Sequence, residues 1–282
     1  MQDFEAQTRA LAAQIEQELE EGHLNFPTSM EISLRIKQLA DDPNSSVDDI
    51  VAVVCAEPVL SAKVIRMANT MLLNPYGARI TSVNNAVKRI GLAALRCLAF
   101  AVAAEQLSQD RRPPHLRKIA TDLWRHLADI ASWAYAFAHH LRAVNPDTAM
   151  LTGMMVDIGQ FFLLARVADY PALESNIDRF FEFMDVWKAP ISRSVLEAFE
   201  LPNDIVDALD NETFREDGWP PQTLHDIVQA AIQASNVPNP TERRKPSRQK
   251  DGSNTGFDQQ QLATLLDETR AGKDAILNAI YG

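Results

Sequence analysis

The sequence predicts an all-α fold built as two helical lobes, and three observations predict it. Apolar residues recur at spacings of three and four along almost the whole chain, with almost no strict alternation of the kind a half-buried strand requires. Ser or Thr followed three residues later by an acid marks helix starts at Thr28/Glu31 and Ser46/Asp49. The stretch QDRRPPH at Gln109 to His115 sets two prolines beside two arginines, which breaks the pattern and marks a boundary near residue 113.

The elements follow in order. Residues 1–23 read as an ordinary solvated helix, with acids where a secretory leader would carry a basic flank and an apolar stretch. In the first lobe, 24–113, the helix after Thr28 carries Met30, Ile32, Leu34, Ile36 and Leu39 until DDPN ends it. Val47, Ile50, Val51 and Val54 line a second helix that Pro58 interrupts, after which Leu60, Val64, Ile65 and Ala68 begin a third, closed by Asn69. Ser82 caps a helix bearing Val83, Ala86, Val87 and Ile90, Gly91 suits a left-handed stop, and another helix runs from Leu92 to about Leu107.

The second lobe, 114–235, opens with a long helix from about Leu116 to Leu141 whose stripe includes Ile119, Leu123, Leu127, Ile130 and Ala134. NPD at Asn145 to Asp147 turns the chain into a helix that carries Asp157, and further helices are expected around 174–187, 192–199, 202–209 and 223–235. Residues 236–256, rich in Pro, Ser, Gly, Asn and charge, read as a disordered linker. A final amphipathic helix within 257–282 carries Leu262, Leu265, Leu266, Ile276, Leu277 and Ile280, and docks either on its own core or on a partner.

Composition bounds the function. A chain of 282 residues that is 46% hydrophobic can bury one large core or two modest ones. With 27 Lys and Arg against 38 Asp and Glu, a formal charge of -11 argues against a general nucleic-acid surface and against anionic membrane. The longest apolar stretch, GLAALRCLAFAVAA, is broken by Arg96 and too short to span a bilayer, so a soluble cytoplasmic protein is expected. Cys55 and Cys97 both sit in apolar helical patterns and read as inert buried thiols in a reducing compartment.

Chemistry narrows to one acid and one imidazole. Asp157 stands inside MLTGMMVDIGQFFLL, where a carboxylate is costly to bury without a partner. His126 falls on the inward stripe of the long helix, three residues after Leu123 and four before Ile130. Two readings stand: a core His satisfied by one hydrogen bond, or a His126–Asp157 pair left from a former metal centre. A working zinc or iron site would need three or more donors, and Val156 offers none. His139 and His140 are consecutive and point about 100° apart, so they cannot share a metal. His23, His115 and His225 are isolated. No phosphate-binding glycine loop, nucleophile elbow or C-x-x-C pair is present. Five basic residues in ERRKPSRQK, 242–250, read first as a solvated linker and second as a contact for phosphate or an acidic partner.

Three stretches resemble the HD-related output domain, or HDOD, of bacterial signal transduction proteins. EPVLSAKVIRMAN at Glu57 to Asn69 is similar to that family's D-P-x-L-x-x-K-x-L-R-x-A-N segment, and ITSVNNAVKRIGLAALRCL at Ile80 to Leu98 to its following I-x-S-I-x-x-A-I-x-x-L-G-x-x-x-L-R segment. LWRHLADIASWA with GMMVDIGQFFLL resembles an HD-type core, so that the resemblance covers about 24–235. It implies a helical fold related to the HD phosphohydrolases, which hold metal through a His, a His-Asp doublet and a later Asp. On that correspondence the first His is His126 and the doublet becomes Val156 and Asp157; paired histidines expected after FELPNDIVDALD fall at Asn211 and Glu212, and the late Asp at Gln233. The GYP signature of cyclic-di-GMP phosphodiesterases is absent.

The resulting expectation is a regulatory signalling module with no catalytic residues, metal or cofactor, acting through contacts with a protein partner. The alternatives are a divergent metal-dependent HD phosphohydrolase or phosphodiesterase, and a nucleotide or metabolite sensor without turnover.

Overall fold

A computed structural model describes residues 2–21, 24, 31–75, 77–109, 113–199, 201–210, 219–242 and 259–281. Thirteen α-helices and one short 3-10 turn account for its regular structure, with no strand among the described residues. They are α1 (Gln2–Glu20), α2 (Glu31–Asp41), α3 (Val47–Cys55), α4 (Pro58–Ala68), α5 (Val83–Gln109), α6 (Pro114–Leu141), α7 (Pro146–Met155), α8 (Ile158–Arg166), α9 (Pro171–Glu174), α10 (Ile177–Ala198), α11 (Asn203–Asp210), α12 (Leu224–Ala234) and α13 (Gln259–Tyr281).

One capping box forms where the sequence places it, and a second that was not expected is found at Thr223. Ser46 and Asp49 close a reciprocal capping box on α3, and Thr223 with Asp226 does the same on α12. Thr28 lies outside the described residues. Gly91 takes φ 76° and ψ 171° inside α5, the left-handed backbone that a side chain disfavours, so the two helices expected on either side meet there at a kink.

The core is organised around α6. From Ala128 to Ala138 that helix is buried on every face, because α5, α7, α12 and α13 all pack on it. Helices α2 to α5 pack among themselves, α5 packs also on α6 and α7, and α13 touches both α4 and α6. No single described helix is long and apolar enough to cross a membrane; α7 and α8 together have that composition, but they are bent by 43° and their residues are buried inside the fold.

Several expectations change. α1 is not merely solvated: Leu11 and Ile15 are buried and Glu18 pairs with Arg166 of α8 at 2.9 and 3.0 Å. Cys97 is buried but Cys55 is exposed, since α3 turns Ile50 and Val54 inward and the next residue points about 100° away. α10 runs unbroken through Pro190, where two helices were expected. The carbonyl that Pro190 frees belongs to Val186, which is 68% exposed, so water can satisfy it. α13 docks on its own chain: Lys63 Nζ donates to the Ile280 carbonyl at 2.6 Å, and Lys273 Nζ lies 2.7 Å from Asp129 Oδ1.

Candidate functional site

His126 and Asp157 do meet. α6 holds His126 between the buried Leu123 and Leu127, while Asp157 occupies the break between α7 and α8 rather than the middle of one helix. Its backbone there has φ -116° and ψ 31°, and its side chain leaves its own helix uncapped to face α6. His126 Nδ1 donates to the Val237 carbonyl at 2.6 Å, and Nε2 lies 3.5 Å from Asp157 Oδ2. That second separation is an ion-pair distance at the outer limit of a hydrogen bond.

The carboxylate has further partners. Gln160 Nε2 donates to Asp157 Oδ1 at 2.9 Å, and Asn239 Nδ2 donates to Oδ2 at 3.0 Å. The second hydrogen of Asn239 Nδ2 reaches Gln160 Oε1 at 3.1 Å. The Thr241 hydroxyl sits between Gln160 Oε1 and Asn239 Oδ1, and the Thr241 amide donates to Asn239 Oδ1 at 2.9 Å. Ser235 anchors the start of the segment by donating to Asp129 Oδ2 at 2.9 Å. Residues 236–242 are therefore not the opening of a disordered linker but a strap fastened over the pair; the rest of the expected linker, with the basic run from 243 to 250, lies outside the described residues.

The electrostatics follow from this geometry. Burial disfavours the charged imidazolium, but the Asp157 contact and the Val237 carbonyl outweigh it and hold His126 above its ordinary value. With Nδ1–H committed to Val237, a neutral ring would turn a lone pair toward the carboxylate, whereas a protonated ring turns a donor.

A cleft of about 740 Å³ opens beside the pair, lined by His126, Val156, Asp157, Gln233 and Glu242, with Leu262 and Leu266 of α13 on its other wall. A smaller cavity of about 220 Å³ also touches Val156 and Asp157 and is lined by Lys188, Ser192 and Leu209. Of the four positions that the resemblance marks as lost, Val156 and Gln233 face the same cleft as the pair, while Asn211 and Glu212 lie outside the described residues. A divalent ion does not fit what the four positions supply, one imidazole, one carboxylate, an isopropyl group and an amide, and Glu242, the second carboxylate of the cleft, does not join them in a group that could hold a metal ion. Among the described residues no group of three or more His, Cys, Asp or Glu side chains converges anywhere.

The remaining histidines stay apart. His140 Nε2 lies 3.2 Å from Glu268 Oε2, His139 stacks on Tyr135, His115 meets the Glu174 carbonyl and His225 the Ala208 carbonyl. His23 lies outside the described residues.

The HDOD domain family matches residues 26–213, two thirds of the chain and the stretch that contains both His126 and Asp157. This chain belongs to the HDOD domain family. Solved structures share the fold across nearly all of the HDOD protein. A proposed metal-dependent phosphohydrolase from Shewanella amazonensis is 20% identical with a TM-score of 0.62, covering 98% of this chain and 99% of its own. An HDOD domain protein of unknown function from Geobacter sulfurreducens is 19% identical with a TM-score of 0.57, covering 95% and 97%. A proposed signal transduction protein from Marinobacter aquaeolei is 20% identical with a TM-score of 0.54, covering 99% of this chain and 67% of its own. At these identities the likeness establishes the fold alone. No curated protein matches the sequence. The strap that reaches Asp157 and the helix α13 both lie beyond residue 213, so this HDOD protein closes its site with chain outside the matched region.

Proposed function

We propose that this HDOD protein is a non-enzymatic regulatory module in bacterial signal transduction, acting through contacts with a protein partner. One observation carries the reading: among the described HD-type positions only His126 and Asp157 keep a metal donor, while Val156 and Gln233 bring neither imidazole nor carboxylate to the cleft. A catalytic metal takes three or more protein donors and keeps a position for water, and the donors at these positions fall short of that number. The likeness to a proposed signal transduction protein accords with it. The net charge of -11 disfavours nucleic acid as the partner.

The test is hydrolysis. Purified protein should turn over neither phosphomonoesters, phosphodiesters nor cyclic dinucleotides with Mg²⁺, Mn²⁺ or Zn²⁺; turnover that a chelator abolishes overturns the reading and favours the phosphohydrolase activity named for the Shewanella protein. A second reading, a sensor that binds a nucleotide or metabolite without turning it over, is favoured by the cleft beside the pair, whose size suits a small ligand. Calorimetric titration with a panel of nucleotides decides it: heat without hydrolysis supports the sensor, and no heat counts against it.

A further inference from the structure

The α4–α13 seam carries a feature that the His126 site does not use. A groove of about 990 Å³ runs along it, walled by Ile65 and Leu72 on one side and by Ala271, Gly272, Ala275 and Ala279 of α13 on the other. Positions 271, 272, 275 and 279 lie on one face of a helix, and with nothing longer than a methyl at these four a neighbouring backbone can come close, while the exposed Asn278 lines the groove at the edge of that face. Met71, 80% exposed, stands at the rim, an adaptable thioether of the kind that helix-binding grooves use.

Charge selects the occupant. Among the described residues Arg66 and Arg79 line the groove and no carboxylate does, although the chain as a whole carries a net charge of -11. Arg66 spends one N–H on the Asn278 carbonyl at 3.3 Å; Arg79 is exposed. An apolar trough edged by two guanidinium groups fits an amphipathic helix with acids beside its apolar stripe. The chain's own run at 243–250 has the opposite sign: it is basic, and it would be repelled.

We propose that the α4–α13 groove docks an amphipathic helix of a partner protein, with apolar residues against the Ala271/Ala275 face and carboxylates on Arg66 and Arg79. This rests on the regulatory reading and names the surface through which it would act. A bound helix would also lean on α13, whose first turns line the His126 cleft.

The experiment is selection on the full-length protein from a displayed library of helix-patterned peptides of about sixteen residues, ~24 Å when helical. Apolar positions are fixed at i, i+3, i+4 and i+7, and flanking positions vary among Glu, Lys and Ser. Glu should be enriched at the flanks, and Arg79→Glu should shift the preference toward Lys. Ala271→Leu, on an exposed position, should fill the trough and weaken a selected peptide by about tenfold or more in fluorescence anisotropy, a loss of about 1.4 kcal/mol, while leaving the circular dichroism unchanged. Absence of Glu enrichment, or selected peptides indifferent to both variants, overturns the proposal. So does a dimer in sedimentation that Ala271→Leu disperses, because a second copy then fills the groove. Phosphoester turnover would defeat the regulatory reading while leaving the peptide result standing; failed selection without turnover defeats only the docking surface.

Discussion

Asn239 donates to Asp157 across 82 residues of sequence, and with the same amide nitrogen it reaches Gln160. That arrangement makes the carboxylate a structural anchor. Asp157 keeps 18% of its side-chain surface exposed and its closest donors are neutral amides, so its removal should cost less than breaking a fully buried ion pair. Asp157→Ala is expected to lose about 2 kcal/mol and Asn239→Ala about 1 kcal/mol in urea unfolding. An Asp157→Ala protein that melts like the parent but loses a measurable reaction would contradict the anchor role.

The His126 contact makes stability depend on pH. Its folded-state value is raised above the unfolded value of ~6.5, so the protonated ring is the form that folding favours. The contribution is fully present below about pH 6.5 and is lost as pH rises through the folded value. His126→Gln should flatten the fall in stability above about pH 6.5, measured by denaturant unfolding at closely spaced pH values. A slope unchanged by the substitution would assign the pH dependence to other groups.

Most of the fold is legible in the sequence because its helices announce themselves locally. The Ser46/Asp49 box, the Gly91 stop and the inward stripe of α6 each need only a few neighbouring residues, and the structure has all three. The pairing of His126 with Asp157 is legible too, since both positions face inward and one needs the other. What stays hidden depends on distant partners. NVPNPTE at 236–242 has the composition of a linker, yet Asn239 accepting from the Thr241 amide is an Asx turn around Pro240, a local signal outweighed by overall polarity. Continuity of α10 through Pro190 depends on which side of the helix meets water.

Lys273 binds Asp129 with only 12% and 7% of the two side chains exposed, and it lies over the Trp133 ring at 5.4 Å. Ser235 donates to the same carboxylate, so α13, α6 and the start of the strap converge on one buried acid. Lys273→Met keeps the stem and strands the charge, and should cost about 3 kcal/mol. Hydrogen exchange should show α13 opening ahead of α6, because α6 stays packed on α5, α7 and α12 when the tether between the two is lost. Uniform exchange across both helices would show instead that α13 is held by its apolar face.

Gly159 explains how α8 and α10 come together beside Asp157. A methyl group built on it would lie 2.1 Å from the Lys188 carbonyl oxygen and 2.5 Å from Ser192 Oγ, and the first of these is backbone that cannot rotate aside. The Gly159 amide donates to that same Ser192 hydroxyl at 3.0 Å, so the close approach is fastened as well as permitted. In an exposed helix, alanine would gain up to about 1 kcal/mol over glycine; here the gain is offset by pushing two packed helices apart, a repacking that costs about 1 to 3 kcal/mol or more. Gly159→Ala should therefore destabilise by about 2 kcal/mol, and Ser192→Ala, which removes the hydroxyl, should relieve part of that loss in the double variant. Strict additivity of the two substitutions would mean that the backbone carbonyl alone sets the limit on how near α8 can approach.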